Sequence, residues 1–265
     1  MHQLPGGFWG PLWYQGFLRI RGKKRLVAIS KALRAALGQE YKPVLPENQV
    51  VVAPSGVDLE RFVDLPDPQT ARKKLELPAG WTAVCTGHLY PGRGMEFVIE
   101  LARHMPDDHF LWVGGDPRDV ENWQSTLLQH QLQNLALTGF IPNQDLPYYQ
   151  AAGDALLIPY ERTFSNSGGE DISSVSSPMK IFEYMTSGRV IVSNDLPVLR
   201  EILNEDNAIL CPPGDVNAWV RALRKIQSDP GSGLKLAIQA RQDVEKYSWV
   251  ERSHSILLDF MDEIK

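Results

Sequence analysis

The sequence predicts an α/β fold, an open parallel sheet with helices on both faces, on the strength of two observations. From about residue 50 onward short apolar runs alternate with longer amphipathic ones, and the short runs are continuously apolar. Strands apolar on both faces belong to parallel sheets that helices cover on each side. A regular beat of strand and helix implies right-handed crossovers between parallel strands.

Taken in order, residues 26–29 read as a strand and Ser30 as the cap of a helix over 31–37. The main series follows, with strands at 50–53, 82–85, 110–113, 135–137, 155–158, 190–192 and 208–210. Between them Met95, Val98, Ile99, Ala102 and Met105 share one helical stripe, and Ile181, Phe182 and Met185 a second. Trp219, Leu223 and Ile226 form a third, in a segment that Asp215 caps. After the break at Tyr247-Ser248, the spacing of Trp249, Ile256, Leu257, Phe260 and Ile264 predicts one closing helix over 249–265. In front, Pro5-Gly6-Gly7-Phe8-Trp9-Gly10-Pro11 reads as turn-forming punctuation. One strand and one helix cannot make a core, so residues 1–45 read as the tail of a domain whose front is absent.

At 265 residues, 43% apolar and 22% charged, the chain has room for one full domain and a piece of another. Cys85 and Cys211 stand alone inside apolar runs, which excludes a disulfide scaffold and a zinc module and makes a reducing interior the default. The apolar runs fall far short of the ~18–20 residues that span a bilayer, and the Met1 end has no signal-peptide core. Charge is divided unevenly. Residues 1–45 hold eight basic side chains against Glu40 alone, a net +7, which leaves −12 on the rest of a chain of net −5. A basic head on an acidic body argues against nucleic acid as a partner.

In an open parallel sheet ligands sit beyond the carboxyl ends of the strands, so the loops there are the candidates. The first runs Gly87-His88-Leu89-Tyr90-Pro91-Gly92-Arg93-Gly94. Its glycines allow backbone amides to approach a phosphate, the following helix is electropositive at its start, and Arg93 adds a forked donor. A phosphate-binding loop of the Walker type would need Lys-Ser/Thr where Arg93-Gly94 stands, which disfavours a nucleotide hydrolase. The dinucleotide fingerprint would need Gly at Phe97. A plain strand-to-helix turn stays open beside the phosphate reading.

The second loop, 163–177, is rich in serine with Gly168 and Gly169, and ends in Ser177-Pro178, the pattern of an N-cap followed by Pro at the first helical position. Lys180 then falls in the first turn, where a cation opposes the helix dipole unless an anion is present. Glu183 follows at i+3, on the same side of that helix. One reading of Lys180 and Glu183 is a surface ion pair. The other has Lys180 and the helix amides holding a diphosphate while the Glu183 carboxylate accepts two hydrogen bonds from a vicinal diol such as a ribose.

Here the sequence resembles a known family. Ser177-Pro178-Met179-Lys180-Ile181-Phe182-Glu183-Tyr184-Met185-Thr186-Ser187-Gly188, then Val190 to Asp195, is similar to the donor-binding stretch of retaining glycosyltransferases of family four. Other pieces follow in the family's order: Pro54-Ser55-Gly56-Val57-Asp58 with Phe62, the Gly87 to Gly94 loop, Val113-Gly114-Gly115, Gly139-Phe140-Ile141-Pro142, Pro212-Pro213-Gly214-Asp215 and Trp249. The resemblance covers about residues 25–265. It implies the C-terminal, Rossmann-like half of a GT-B fold: a remnant of the acceptor domain with its linker at 1–45, a nucleotide-sugar domain at 46–247 and a closing helix at 248–265.

The resemblance further implies transfer of a sugar from a nucleoside diphosphate sugar, with retention of configuration, to a glycan, lipid or small-molecule acceptor, with no cofactor and no bound metal. Arg93 matches the residue that neutralises the pyrophosphate, and Glu183 the second glutamate of a paired motif, holding the ribose. Lys180, Ser177 and Ile181 fall near the phosphates or sugar with Gly87, His88, Gly92 and Gly94, and Phe140 and Ile141 near the base. Two positions depart from the pattern. Val175 stands where the first glutamate belongs, with Glu170 or Asp171 as substitutes from the loop, and His88 replaces a more basic residue. His2 resembles a histidine of the acceptor domain.

A non-catalytic nucleotide-sugar module, or half of a split enzyme, is the alternative. A cytoplasmic location is implied. A peripheral one is compatible with Phe8, Trp9, Trp13, Tyr14 and Phe17 followed by five positive charges, since residues 8–25 suit an anionic membrane surface. Packing of those aromatics on the rest of an acceptor domain is the preferred account.

Overall fold

A computed structural model describes residues 9–22, 24–42, 45–46 and 49–258. Its main sheet has six strands: β3 (Thr82–Thr86), β4 (His109–Val113), β5 (Leu135–Leu137), β6 (Ala155–Ile158), β7 (Val190–Asn194) and β8 (Ile209–Cys211). All pairs are parallel, in the order β5-β4-β3-β6-β7-β8. The chain therefore winds outward from β3 to one edge, returns to β6 beside β3, and winds to the other edge. This is the doubly wound, Rossmann-like order, and its switch point lies between β3 and β6.

Burial on both faces is why these strands read as continuous apolar runs. Val84, Leu111, Leu156 and Ile191 enter one core with Ile181, Phe182 and Tyr184, while Cys85, Trp112, Leu157 and Val192 enter the other with Met95, Val98 and Trp219. The crossovers are α4 (Met95–His104), α5 (Pro117–Gln129), α6 (Leu146–Ala151) and α7 (Met179–Thr186), with α8 (Val216–Ser228) and α9 (Pro230–Asp243) after β8. As the sequence suggests, Asp215 caps α8 by accepting from the Ala218 amide at 2.9 Å. Ser248 likewise caps α10 (Trp249–Leu257) through the Glu251 amide. Leu258 ends that helix, and Phe260 and Ile264 lie outside the described residues.

Ahead of the sheet lie α1 (Trp9–Arg19), β1 (Leu26–Ala28), α2 (Lys31–Glu40), a 3-10 helix at Leu59–Phe62 and α3 (Pro68–Lys74). Two expectations change here. The strand at 50–53 is β2 (Val50–Val52), and it pairs with β1 and not with the main sheet. A helix replaces part of the expected turn at 5–11, because Pro11 falls in the first turn of α1, where its missing N–H costs nothing. Tyr14 from α1 joins Leu26, Leu33, Leu37 and Tyr41 in a core of its own, so this region supplies more than one strand and one helix.

That small core is joined to the main domain by polar contacts. Ser30 accepts from the Leu33 amide as the cap of α2 and donates its hydroxyl to the Val175 carbonyl at 2.6 Å. Glu201 reaches across and accepts from the Lys31 and Ala32 amides at 2.7 and 2.8 Å, satisfying the exposed end of α2. Arg25 donates to the Ile256 and Leu258 carbonyls at the end of α10. Among the described residues no helix is long and apolar enough to cross a membrane.

Candidate functional site

The loops leaving β3 and β6 meet at the switch point and are laced together. The Glu161 amide donates to the Gly92 carbonyl at 2.9 Å and the Ser165 amide to the Pro91 carbonyl at 3.1 Å. This contact explains two glycines. Gly92 and Gly94 have φ of +74° and +95°, and a Cβ on them would lie 2.0 Å from the Thr163 oxygen and 2.2 Å from the Pro159 oxygen. Gly87 donates its amide to the Val113 carbonyl at 2.8 Å and accepts from Trp112 Nε1 at 3.0 Å. The glycines thus let two loops pack, a role that spacing alone does not separate from phosphate approach.

Two cations converge on this junction. Arg93 donates from Nε and Nη2 to the Ser165 carbonyl, at 3.1 and 2.7 Å, and its guanidinium lies over Tyr160 and Phe164, 4.8 and 5.0 Å from the ring centroids. Lys180 places Nζ 4.7 Å from the Tyr160 centroid and 3.9 Å from Cys85 Sγ, close against Gly87. Tyr160 carries both cations. Among the described residues neither makes a salt bridge to a carboxylate, and two neighbouring cations without such a partner are chemically suited to an anion.

Lys180 sits in the first turn of α7, but the cap differs from the expectation. Pro178 is the N-cap, and Ser177 stands one residue earlier with its carbonyl accepting from Ser55 Oγ at 3.3 Å. Proline supplies no capping side chain. The Ser176 and Ser177 hydroxyls are buried without a hydrogen-bond partner beside the start of that helix. Ile181 is fully buried and anchors the helix in the core.

Glu183 is 9% exposed. It does not pair with Lys180: that side chain runs to the β3 loop, while Glu183 Oε2 accepts from Gln150 Nε2 of α6 at 3.3 Å. Burial pushes the Glu183 carboxyl above its ordinary range, and the charge of Arg61, the Gln150 hydrogen bond and Lys180 oppose that rise. Burial likewise raises the Cys85 thiol, against the fields of Lys180 and Arg93.

His88 is exposed and stacks on Tyr90, with centroids 4.7 Å apart and planes at 3°. Phe140 is 77% exposed, while Ile141 packs on the core beside it. Val175 is buried in the amino-terminal core. Neither acidic neighbour is aimed at Glu183: Asp171 accepts from the Ser173 amide at 2.9 Å, and Glu170 from Asn166 Nδ2 at 3.1 Å. His2 lies outside the described residues. Gln150 and Tyr160 touch the sequence-predicted residues, and Arg61 holds Asn143 beside the Gly139 to Pro142 turn, although no motif marks these three. Arg61 stands inside the quoted 54–62 stretch, and nothing in the sequence marks Gln150. Among the described residues no group of three His, Cys, Asp or Glu side chains gathers to hold a metal.

A doubly wound parallel sheet, with Arg93 and Lys180 side by side at its switch point, defines the class: a Rossmann-like α/β domain. Residues 81–229 match the family described as Glycosyl transferases group 1, and the chain belongs to that family. It is 23% identical over 227 residues to α-galactosylglucosyldiacylglycerol synthase of Streptococcus pneumoniae, covering 83% of this chain and 56% of that protein. It is 24% identical over 208 residues to the GDP-mannose-dependent α-(1-6)-phosphatidylinositol monomannoside mannosyltransferase of Mycolicibacterium smegmatis, covering 75% and 53%. The chain thus spans about half the length of these relatives. Anabaena HepE, solved with UDP, shares the fold with a TM-score of 0.79 at 17% identity, over 99% of this chain and 71% of that one.

Proposed function

We propose that the chain binds a nucleoside diphosphate sugar over the junction of the β3 and β6 loops and serves as the donor half of a retaining glycosyltransferase. The observation that carries this reading is the placement of Arg93 and Lys180 on one ring, Tyr160, at the switch point, with the start of α7 beside them. The two side chains and the helix dipole stabilise the diphosphate as it leaves, the step in which negative charge develops. Charge of that kind replaces a metal ion in this reading. Glu183 accepts hydrogen bonds from the ribose hydroxyls, and the Gly139 to Pro142 turn, with Phe140 exposed, lies against the base. Ser176 and Ser177 offer their unpartnered hydroxyls to the phosphates or the sugar.

The acceptor favoured by the surface is lipid-linked. α1 and the residue after it leave Leu12, Trp13 and Ile20 between 46% and 54% exposed, beside the exposed Arg19 and Arg21, a combination suited to peripheral contact with anionic lipid. The names of two relatives carry diacylglycerol and phosphatidylinositol. Replacing Leu12, Trp13 and Ile20 with Ser reduces co-sedimentation with anionic phospholipid vesicles on this account, and unchanged sedimentation rejects it.

Calorimetric titration with UDP, GDP and ADP in the absence of metal tests the donor site. One of the three is expected to bind. Arg93→Ala and Glu183→Ala variants that bind like the parent sink the assignment.

A further inference from the structure

We propose that Tyr184 is a positioning residue for Lys180: its buried hydroxyl locks α7 to the end of β3 at the switch point and thereby sets where the lysine ammonium stands to meet a diphosphate. This rests on the reading of Lys180 as a phosphate-binding residue and deepens it by naming what holds the lysine in place.

β3 pairs with β6 at Ala83 opposite Ala155 and Val84 opposite Leu156. Beyond Val84 the two strands part: β3 continues along β4 as far as Thr86 opposite Val113, and β6 along β7 as far as Ile158 opposite Ser193. Successive amides of a strand face opposite sides. The Gly87 amide turns to β4 and reaches the Val113 carbonyl at 2.8 Å, so the Thr86 amide turns to the side that β6 has left. Thr86 is buried, and an amide left there without an acceptor carries the full cost of its desolvation.

Tyr184 supplies that acceptor. Its hydroxyl accepts from the Thr86 amide at 2.7 Å and donates to Thr86 Oγ1 at 3.1 Å, and the side chain is fully buried. Burial holds the phenol well above its ordinary pKa, so it stays protonated and keeps both bonds. α7 is thereby registered against β3 at one atom. Lys180 lies four residues earlier, one turn back along the same face of the helix. Its Nζ stands 3.9 Å from Sγ of Cys85, the residue before Thr86, and a Cβ on Gly87, the residue after, would meet Nζ at 3.3 Å. The two side chains of α7 therefore hold the same stretch, Cys85 to Gly87, one by hydrogen bonds and the other by contact. A thiol and the Tyr160 ring face are soft, weakly directional partners, so the height of the ammonium is set by the helix that carries it.

The test is a double-mutant cycle on the full chain, read by calorimetric titration with inorganic pyrophosphate and by urea denaturation. Lys180→Met is expected to weaken pyrophosphate binding by at least about tenfold, the scale of a hydrogen bond to a charged group. Tyr184→Phe, which removes one oxygen, is expected to weaken it by at least about threefold, a share of the same loss, and to change nothing further once Lys180 is gone. Its loss of stability, by contrast, is expected in both backgrounds, because the Thr86 amide is orphaned either way. A structural role alone would move stability and leave affinity uncoupled from Lys180. If Tyr184→Phe does not fold, Thr86→Val, which removes the second partner of the phenol, takes its place with the same expectation. A folded variant that binds pyrophosphate like the parent, or that loses affinity equally with and without Lys180, overturns the proposal alone. A Lys180→Met variant that binds like the parent, or a parent that binds no pyrophosphate, overturns the reading of Lys180 and this proposal with it.

Discussion

Arg93 grips the Ser165 carbonyl through two guanidinium nitrogens, at 3.1 and 2.7 Å, while its face lies over Tyr160 and Phe164. A planar fork can hold a carbonyl, stack on a ring and still present its remaining donor nitrogen to a phosphate, and a lysine cannot. Arg93→Ala is expected to weaken nucleoside diphosphate and pyrophosphate binding alike, by about 1.5–3 kcal/mol. Arg93→Lys is expected to recover little of it. The same substitutions free the 163–177 loop, so amide exchange there quickens in the absence of ligand, a change that mass spectrometry reads directly.

On the proposed donor reading, Glu183 makes stability and ribose binding respond to pH in opposite directions. Burial raises its native carboxyl above the ordinary glutamate range. The native state then holds the proton more tightly than the unfolded chain. Its contribution to stability is full below about pH 4.3, the unperturbed value, and is lost as pH rises through the raised native value. Ribose recognition has the reverse sign, since only the ionised carboxylate accepts two hydrogen bonds. Urea titrations of the parent and Glu183→Gln across pH 4–8 are expected to show the variant gaining relative stability toward the upper end. Nucleoside diphosphate affinity, referred to pyrophosphate at each pH, is expected to rise over the same interval in the parent alone.

Gly94→Ala forces a Cβ to within 2.2 Å of the Pro159 oxygen at a φ of +95°. Left-handed strain and overpacking each cost about 1–3 kcal/mol. The expected loss is on the order of 3 kcal/mol, visible as a lower midpoint in chemical denaturation. A midpoint within error of the parent rules out the close approach of the two loops.

Which features are legible in the sequence and which only in the fold follows from the range of the forces involved. Continuous apolar runs such as 155–158 declare a parallel sheet because burial on both faces leaves no polar alternation. The caps at Ser30 and Asp215 are equally local, since each involves a side chain and an amide three residues on. Lys180 and Glu183 were legible as residues but not as partners: helix spacing put them together, whereas aromatic rings drew one side chain and a buried amide the other. Gln150 carried no signal, because its role depends on a neighbour 33 residues away. Val50 to Val52 misled for the same reason, as an apolar run says nothing about which sheet it joins.

Glu201 closes the amino-terminal end of α2 from outside, with both carboxylate oxygens engaged. Removing a cap of this kind costs about 1 kcal/mol. Glu201→Ala is expected to speed proteolysis within 26–42 while leaving the 81–229 core protected. A cleavage pattern identical to the parent's rules out the clamp.

Val175 is counted in the amino-terminal core although it belongs to the loop that leads to α7, and its carbonyl is held by Ser30. It behaves like a pin joint in a truss. A load applied to the amino-terminal unit reaches the backbone of Ser176 and Ser177 through one residue, without first deforming the sheet. Displacement at one end of this member is felt at the other with almost no lever arm in between, so a tug on α2 is also a tug on the start of α7.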